Sequence, residues 1–330
     1  MRKVPLTLAV ASYDRVKALF NGRVEIEGVE LIPLAMEAEE CFHRAFKFHE
    51  FDISELSLSS HTMTTSRGEA HYVGVPAFVS RVFRHSGIYV RTDRGIMTPA
   101  DLAGKKVGVP EYQITANVWI RGILQDDYGL KPSAVHWRRG GIEEPGRGER
   151  APIQLPKNID LQQISDDKTL SQMLESGELD GMITARAPSC FDRRVANVDR
   201  LFPDFKRAEQ DYFKRTRIFP IMHLIGVRRS LVEKYPWLPV NIYNAFLAAK
   251  KIAVKELNEL AQLMVNLPWV VAHYDETRAV MGEDFWPYGF NENKHTLETF
   301  TRYHHEQGLS HRKVDPAELF AASTFDISKI

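Results

Sequence analysis

The chain has 330 residues, 44% hydrophobic and 26% charged, and its 43 basic and 43 acidic side chains balance to a formal net charge of zero. This composition excludes a disordered or fibrous chain, and the lack of a basic excess argues against a nucleic-acid partner. Two cysteines, Cys41 and Cys190, are too few for a disulfide-stapled secreted scaffold. They read as small core residues in a reducing cytosol.

At about 100–200 residues per domain, the length suggests two lobes. After Arg2 and Lys3, the run from Leu6 to Ala11 falls short of the roughly 7–15 apolar residues of a signal-peptide core, and Tyr13-Asp14-Arg15 follows. Residues 4–11 therefore read as a first strand, and the protein as cytoplasmic. No stretch approaches the roughly 20 apolar residues of a membrane span, so no membrane partner is expected. Residues 28–32 read as a second strand, 36–49 as a helix with Met36, Phe42, Ala45 and Phe46 on one face, and 51–56 as a third strand. Ser57, Ser59, Ser60 and Thr62 then offer N-caps for a helix.

Residues 80–90 read as one long strand leaving the first lobe, and 217–228 as the strand that returns to it. Between them lie a helix start at Thr98-Pro99, a short strand at 106–110, and a helix from near Gln113 to Tyr128-Gly129. A Gly-, Pro-, Arg- and Glu-rich loop at 138–158, a helix at 166–176 and a strand at 180–185 follow. Helical spacing then runs from Ile242 to Met264 until Pro268 breaks it, and a last helix covers 294–307. The alternation predicts a mixed α/β chain. Lobe one comprises residues 1–88 plus 220–330 and lobe two residues 89–219, joined by two hinge strands, with a ligand cleft between the lobes at the carboxyl ends of strands.

Eight segments, spread in order over nearly the whole chain, together resemble the 4,5-dihydroxyphthalate decarboxylases. They are Tyr13-Asp14-Arg15, residues 51–60 (Phe-Asp-Ile-Ser-Glu-Leu-Ser-Leu-Ser-Ser), 80–86 (Ser-Arg-Val-Phe-Arg-His-Ser), 108–113 (Gly-Val-Pro-Glu-Tyr-Gln), 119–129, 141–147, 184–188 (Thr-Ala-Arg-Ala-Pro) and 284–289 (Asp-Phe-Trp-Pro-Tyr-Gly). The resemblance implies a type-II periplasmic-binding-protein-like fold put to enzymatic use. The implied reaction removes one carboxylate from 4,5-dihydroxyphthalate to give protocatechuate in phthalate catabolism. It also implies a homo-oligomer.

Each carboxylate of that substrate lies para to a hydroxyl. Ionising the hydroxyl pushes electron density onto the carbon that loses carbon dioxide, so the ring serves as its own electron sink. The protein must supply cationic anchors, a base, an acid and a dry pocket. Arginines match carboxylates bidentately. Arg81 and Arg84 on the proposed strand at 80–90, Arg186 just past a strand, and Arg15 just past the first strand are the candidates. Against each stands the plainer reading of a surface ion pair. Helix starts at Ser57, Ser59 and Ser60 and at Thr115 could hold an anion, against simple capping. His85, Glu111 and His223 are the expected proton-transfer groups, two of them on crossing strands, against structural roles. Tyr13 and Tyr112 could bond the hydroxyls, and Trp286, like Trp119, could stack on the ring, although burial is more usual for Trp.

No P-loop or dinucleotide fingerprint occurs, and no cofactor is expected. The histidines form only a weak metal signal: His43 and His49 are six apart, and His304-His305-Glu306 reads as a solvated helix face, although a His/Glu cluster with a catechol substrate could hold a divalent ion. The competing class is a non-enzymatic solute-binding or sensor protein for an aromatic acid.

Overall fold

A computed structural model describes residues 2–149 and 151–327. The strands are β1 (Val4–Val10), β2 (Val29–Ala35), β3 (Ile53–Ser57), β4 (Tyr72–Arg81), β5 (Ile88–Arg91), β6 (Lys106–Val109), β7 (His136–Arg139), β8 (Leu161–Gln163), β9 (Gly181–Ile183), β10 (Val198–Arg200) and β11 (Ile221–Arg228). The longer helices are α1 (Ala38–Phe48), α2 (Leu58–Arg67), α3 (Thr115–Tyr128), α4 (Phe205–Thr216), α5 (Leu238–Leu257), α6 (Val270–Met281) and α7 (Phe290–Glu306). The chain divides into two compact units: Met1–Arg81 with Ile221–Glu298 and Asp315–Ile330, and Val82–Pro220 with Thr299–Val314.

The first unit holds a sheet of order β2-β1-β3-β11-β4. Strand β1 runs parallel to β2 and β3, whereas β11 is antiparallel to β3 and β4. The β-branched and leucine-rich sequences of β1 and β11 suit burial on both faces. Leu8, Ile53, Leu224 and Ile225 are fully buried there. Helix α5 puts Ile242, Phe246, Ala249 and Ala253 at helical spacing into this core, where a fully buried Ile or Phe contributes about 1.5–3 kcal/mol. All five residues of β3 are buried, including the polar Ser54, Glu55 and Ser57. Polar groups in a central strand need partners, and those partners build the site described below.

The second unit holds a sheet of order β10-β5-β9-β6-β7-β8. Helix α3 buries Val118, Trp119 and Ile123, with the Trp119 ring against Phe300 and Tyr303, and ends at Gly129 in the left-handed conformation that glycine adopts freely. Gly122 on α3 lies against Tyr303, where a Cβ would come 2.1 Å from the ring. Only glycine lets the two approach that closely.

The expected strand at 80–90 is broken. β4 ends at Arg81 and β5 begins at Ile88, with a 3₁₀ turn at His85–Gly87 closed by the Gly87 N–H to the Arg84 carbonyl at 3.1 Å. The physical reason is a change of partners: β4 pairs with β11 in one sheet, and β5 with β9 and β10 in the other. Side-chain alternation does not carry across such a break, so Arg81 and His85 do not share a strand face. The helix expected to reach Met264 stops at Leu257, because the apolar positions beyond it have nothing to pack on; Leu260 is 77% exposed. His304 is fully buried and its Nδ1 bonds Ser310 Oγ at 3.0 Å, so it is not on a solvated face. Residues 299–314 pack with the second unit. No helix among the described residues is long and apolar enough to cross a membrane.

Candidate functional site

In the first unit, polar groups converge where β1 and β3 end and β11 begins. Glu55 points from β3 and is fully buried. Its Oε1 accepts hydrogen bonds from His223 Nδ1 at 2.6 Å and Tyr13 OH at 2.8 Å, and its Oε2 accepts from the Ala11 N–H at 2.9 Å. Burial by itself would push this carboxyl up, but the bonds from His223, Ala11 and Tyr13 outweigh it and hold the group below its ordinary value. An ionised carboxylate only accepts, so Nδ1 carries the proton and Nε2 of a neutral His223 keeps its lone pair. The His223 side chain is 19% exposed, and Nε2 has no partner among the described residues. Burial, and then Glu55, hold the Tyr13 phenol far above its usual value. It stays a donor. Cys41 lies behind the carboxylate, its Sγ near Ala9 O and Ser54 Oγ, with its thiol pushed up by burial to about 12. It is inert.

Strand register places His223 between Ser57 on β3 and Ser80 on β4. Ser57 caps α2, accepting from the Ser60 N–H at 3.4 Å. Ser59 is buried behind it, while Ser60 is half-buried at the helix start. Arg15 completes the group. Its guanidinium is sandwiched between the Tyr13 ring at 4.2 Å and the Trp286 ring at 4.3 Å. Arg15 Nε donates to the Val79 carbonyl at 2.6 Å and Nη1 to Asp14 at 2.9 Å, leaving Nη2 without a partner among the described residues. Trp286 is itself pinned by its Nε1–H to the Phe78 carbonyl at 2.8 Å. A planar cation held this rigidly is preorganised for a carboxylate. Arg15, Tyr13, Glu55 and His223 thus form one continuous chain of contacts.

Arg81 does not join them as an anchor. It is 4% exposed, donates to Asn293 Oδ1, and burial lowers its pKa to about 9. An arginine enclosed in this way holds the fold together.

In the second unit, His85 and Glu111 sit in different surroundings. His85 is 2% exposed among Tyr128, Phe202 and Tyr212, and neither ring nitrogen has a partner among the described residues. Burial, and then Arg215, push its pKa down to about 4. A neutral ring sealed by aromatics is not placed to exchange protons with a ligand, which corrects the expectation of a cleft histidine. Arg84 is also buried, and its pKa is lowered by burial to about 10. Glu111 accepts from Arg147 Nε at 2.9 Å and Nη2 at 2.6 Å, so it serves as a tie for the 138–158 loop. Tyr112 is fully buried with its ring 3.6 Å from the Arg121 guanidinium, and does not present a hydroxyl to ligand. Thr115 is buried at the first turn of α3, and Arg186 is exposed just past β9. No cluster of three or more His, Cys, Asp or Glu side chains suited to a metal occurs among the described residues.

No family model matches the chain. It is 46% identical over 330 residues, all of both chains, to the 4,5-dihydroxyphthalate decarboxylase of Comamonas testosteroni. The chain belongs to the 4,5-dihydroxyphthalate decarboxylase family. A second member, from Pseudomonas putida, is 48% identical over 214 residues, covering 65% of this chain and 83% of that one. Among solved structures, the periplasmic aliphatic sulphonate binding protein SsuA of Escherichia coli superposes with a TM-score of 0.55 at 15% identity, over 98% of this chain and 99% of its own. The alkanesulfonate-binding protein SsuA of Xanthomonas axonopodis pv. citri, bound to MOPS, gives 0.53 at 12% identity, over 97% and 99%. The fold is therefore of the periplasmic-binding-protein type.

Of the residues singled out from the sequence, the structure groups Tyr13, Arg15, Ser57, Ser60, His223 and Trp286 in this candidate site; it adds Glu55 and Ser80, which the sequence reading did not single out. The signal for Glu55 was present. It is a lone acid between Ile53 and Leu56 in a strand otherwise apolar or small, and a charge there must be paired and therefore purposeful.

Proposed function

We propose that this chain decarboxylates 4,5-dihydroxyphthalate to protocatechuate without a cofactor, and that the Arg15–Tyr13–Glu55–His223 group is its reaction centre. The observation that carries the reading is the bond from His223 Nδ1 to a buried, ionised Glu55, which leaves Nε2, without a partner among the described residues, to act as the base. In this reading Arg15 pairs with a substrate carboxylate, assisted by the N-terminus of α2 at Ser57 and Ser60. His223 Nε2 takes the proton of the hydroxyl para to the departing carboxylate, and Glu55 stabilises the imidazolium. The phenolate electrons move through the ring to the carbon para to it. A proton drawn ultimately from water adds there, the bond to the carboxylate breaks, and carbon dioxide leaves. His223 then returns its proton to the oxygen. The aromatic faces of Tyr13 and Trp286 exclude water beside the ring.

Two free, buried thiols support placement in the reducing cytoplasm. The test is incubation of purified, metal-depleted protein with 4,5-dihydroxyphthalate, following carbon dioxide release and protocatechuate by chromatography. One carbon dioxide per protocatechuate is expected. Binding without turnover would overturn the reading in favour of a solute-binding or sensor protein.

A further inference from the structure

A cavity of about 640 Å³ opens between α5 and α6 in the first unit. It shares no lining residue with the Arg15–His223 group. Tyr243, Leu247, Lys250 and Val254 recur at helical spacing and form one wall, a stripe distinct from the α5 residues in the core, and Tyr274 and Tyr288 face them. The body of the cavity is thus ring faces and aliphatic side chains, with the dimensions of a small-molecule pocket.

Its polar groups fit an anion. Tyr288 is 2% exposed and lends the cavity its ring, 5.0 Å from Lys250 Nζ, while its hydroxyl is enclosed without a hydrogen-bond partner among the described residues. Lys250 is 5% exposed and donates to Asp284 Oδ1 at 2.9 Å and the Trp286 carbonyl at 2.8 Å, which leaves one of its three donors. At the rim, Glu283 is paired with Arg278 and Asp284 with Lys250. Exposed Lys251 and Lys255 have no ion-pair partner among the described residues, against one unpaired acid, Glu259. By formal count the lining balances, Lys250, Lys251 and Lys255 against Glu259, Glu283 and Asp284, so the positive charge at the rim is local to Lys251 and Lys255.

We propose that this cavity binds an aromatic monocarboxylate, the chemical class that the decarboxylation releases. Its occupancy reaches the reaction centre by one short route: Lys250 holds the Trp286 carbonyl, and the Trp286 ring covers Arg15 at 4.3 Å. A carboxylate that draws Lys250 away loosens that cover and weakens the hold on substrate. This regulatory part rests on the reading of Arg15 as the carboxylate anchor.

Calorimetric titration with benzoate tests the site on the full chain. Wild type and His223→Ala should bind alike. Val254→Trp, whose indole fills the cavity, and the double variant Lys251→Glu/Lys255→Glu at the rim should each bind at least tenfold more weakly. Benzoate should raise the KM of wild type for the diacid severalfold and leave that of Val254→Trp unchanged. Folded variants of both kinds that bind benzoate as wild type does would overturn the proposal, as would binding lost in His223→Ala alone. If the protein fails to turn over 4,5-dihydroxyphthalate yet still shows Val254→Trp-sensitive binding, the proposed activity falls and this site stands.

Discussion

Replacing Glu55 by Gln preserves shape and removes a charge at the centre of the site. The carboxylate accepts three hydrogen bonds, from His223 at 2.6 Å, Tyr13 at 2.8 Å and the Ala11 N–H at 2.9 Å. An amide cannot accept on both sides. With its NH₂ turned toward Ala11, one buried N–H loses its acceptor at a cost of about 1–3 kcal/mol. The two bonds that remain fall from charge-assisted to neutral strength, losing about 1 kcal/mol each. The sum, about 3–5 kcal/mol, is large against a total stability of about 5–15 kcal/mol but leaves a folded protein. The kinetic effect should be larger still. Without the carboxylate, His223 loses its fixed tautomer and the partner of its imidazolium, and general acid–base catalysis contributes roughly 10²–10⁴ in rate. The expectation is a fall in kcat of at least about 100-fold with KM changed less than about threefold. The folded pKa of Glu55 lies below its ordinary value of 4.5. Its stabilising contribution is therefore present above that value and lost as pH falls through the folded one, and Gln should flatten this acid limb. Carbon dioxide release gives the kinetics, and denaturant titration over pH gives the stability. A folded variant whose kcat stays within about threefold of wild type would refute the catalytic role of the pair.

Two further changes separate anchor from scaffold. Arg15→Ala should raise KM about 10- to 100-fold, the equivalent of one charge-assisted bidentate pair, and Arg15→Lys should recover only part of that because an ammonium does not fill the slot between Tyr13 and Trp286; unchanged steady-state kinetics for both would remove Arg15 as the anchor. His85→Leu should leave turnover intact and change the pH dependence of stability. The folded ring titrates near pH 4 against 6.5 in the unfolded chain, so the unfolded state binds the extra proton between those values. Wild-type stability is full above about 6.5 and declines toward pH 4, by about 3 kcal/mol at most from this ring. Leu should remove that part of the decline, and a tenfold loss of kcat would instead restore His85 to the catalytic group.

The α/β class and the position of most elements are legible in the chain alone, because burial repeats at 2 or 3.6 residues and end signals such as Gly129 are local. Local signals also failed in recognisable ways. The helix at Phe205–Thr216 was not legible because few of its residues are buried, with Tyr212 and Phe213 chief among them. The segment 80–90 looked like one strand because alternation carries no record of which sheet a residue pairs in. For the site, residues at chain turns next to strand ends, Tyr13, Arg15 and Ser57, could be named from position alone. Which histidine is poised for chemistry could not. His85 and His223 look equivalent in sequence, but one is enclosed by Tyr128, Phe202 and Tyr212, and the other leans on Glu55, 168 residues away. Only tertiary structure decides such pairings, because proton affinity depends on desolvation and on neighbouring charge, both of which are contributed by residues distant along the chain.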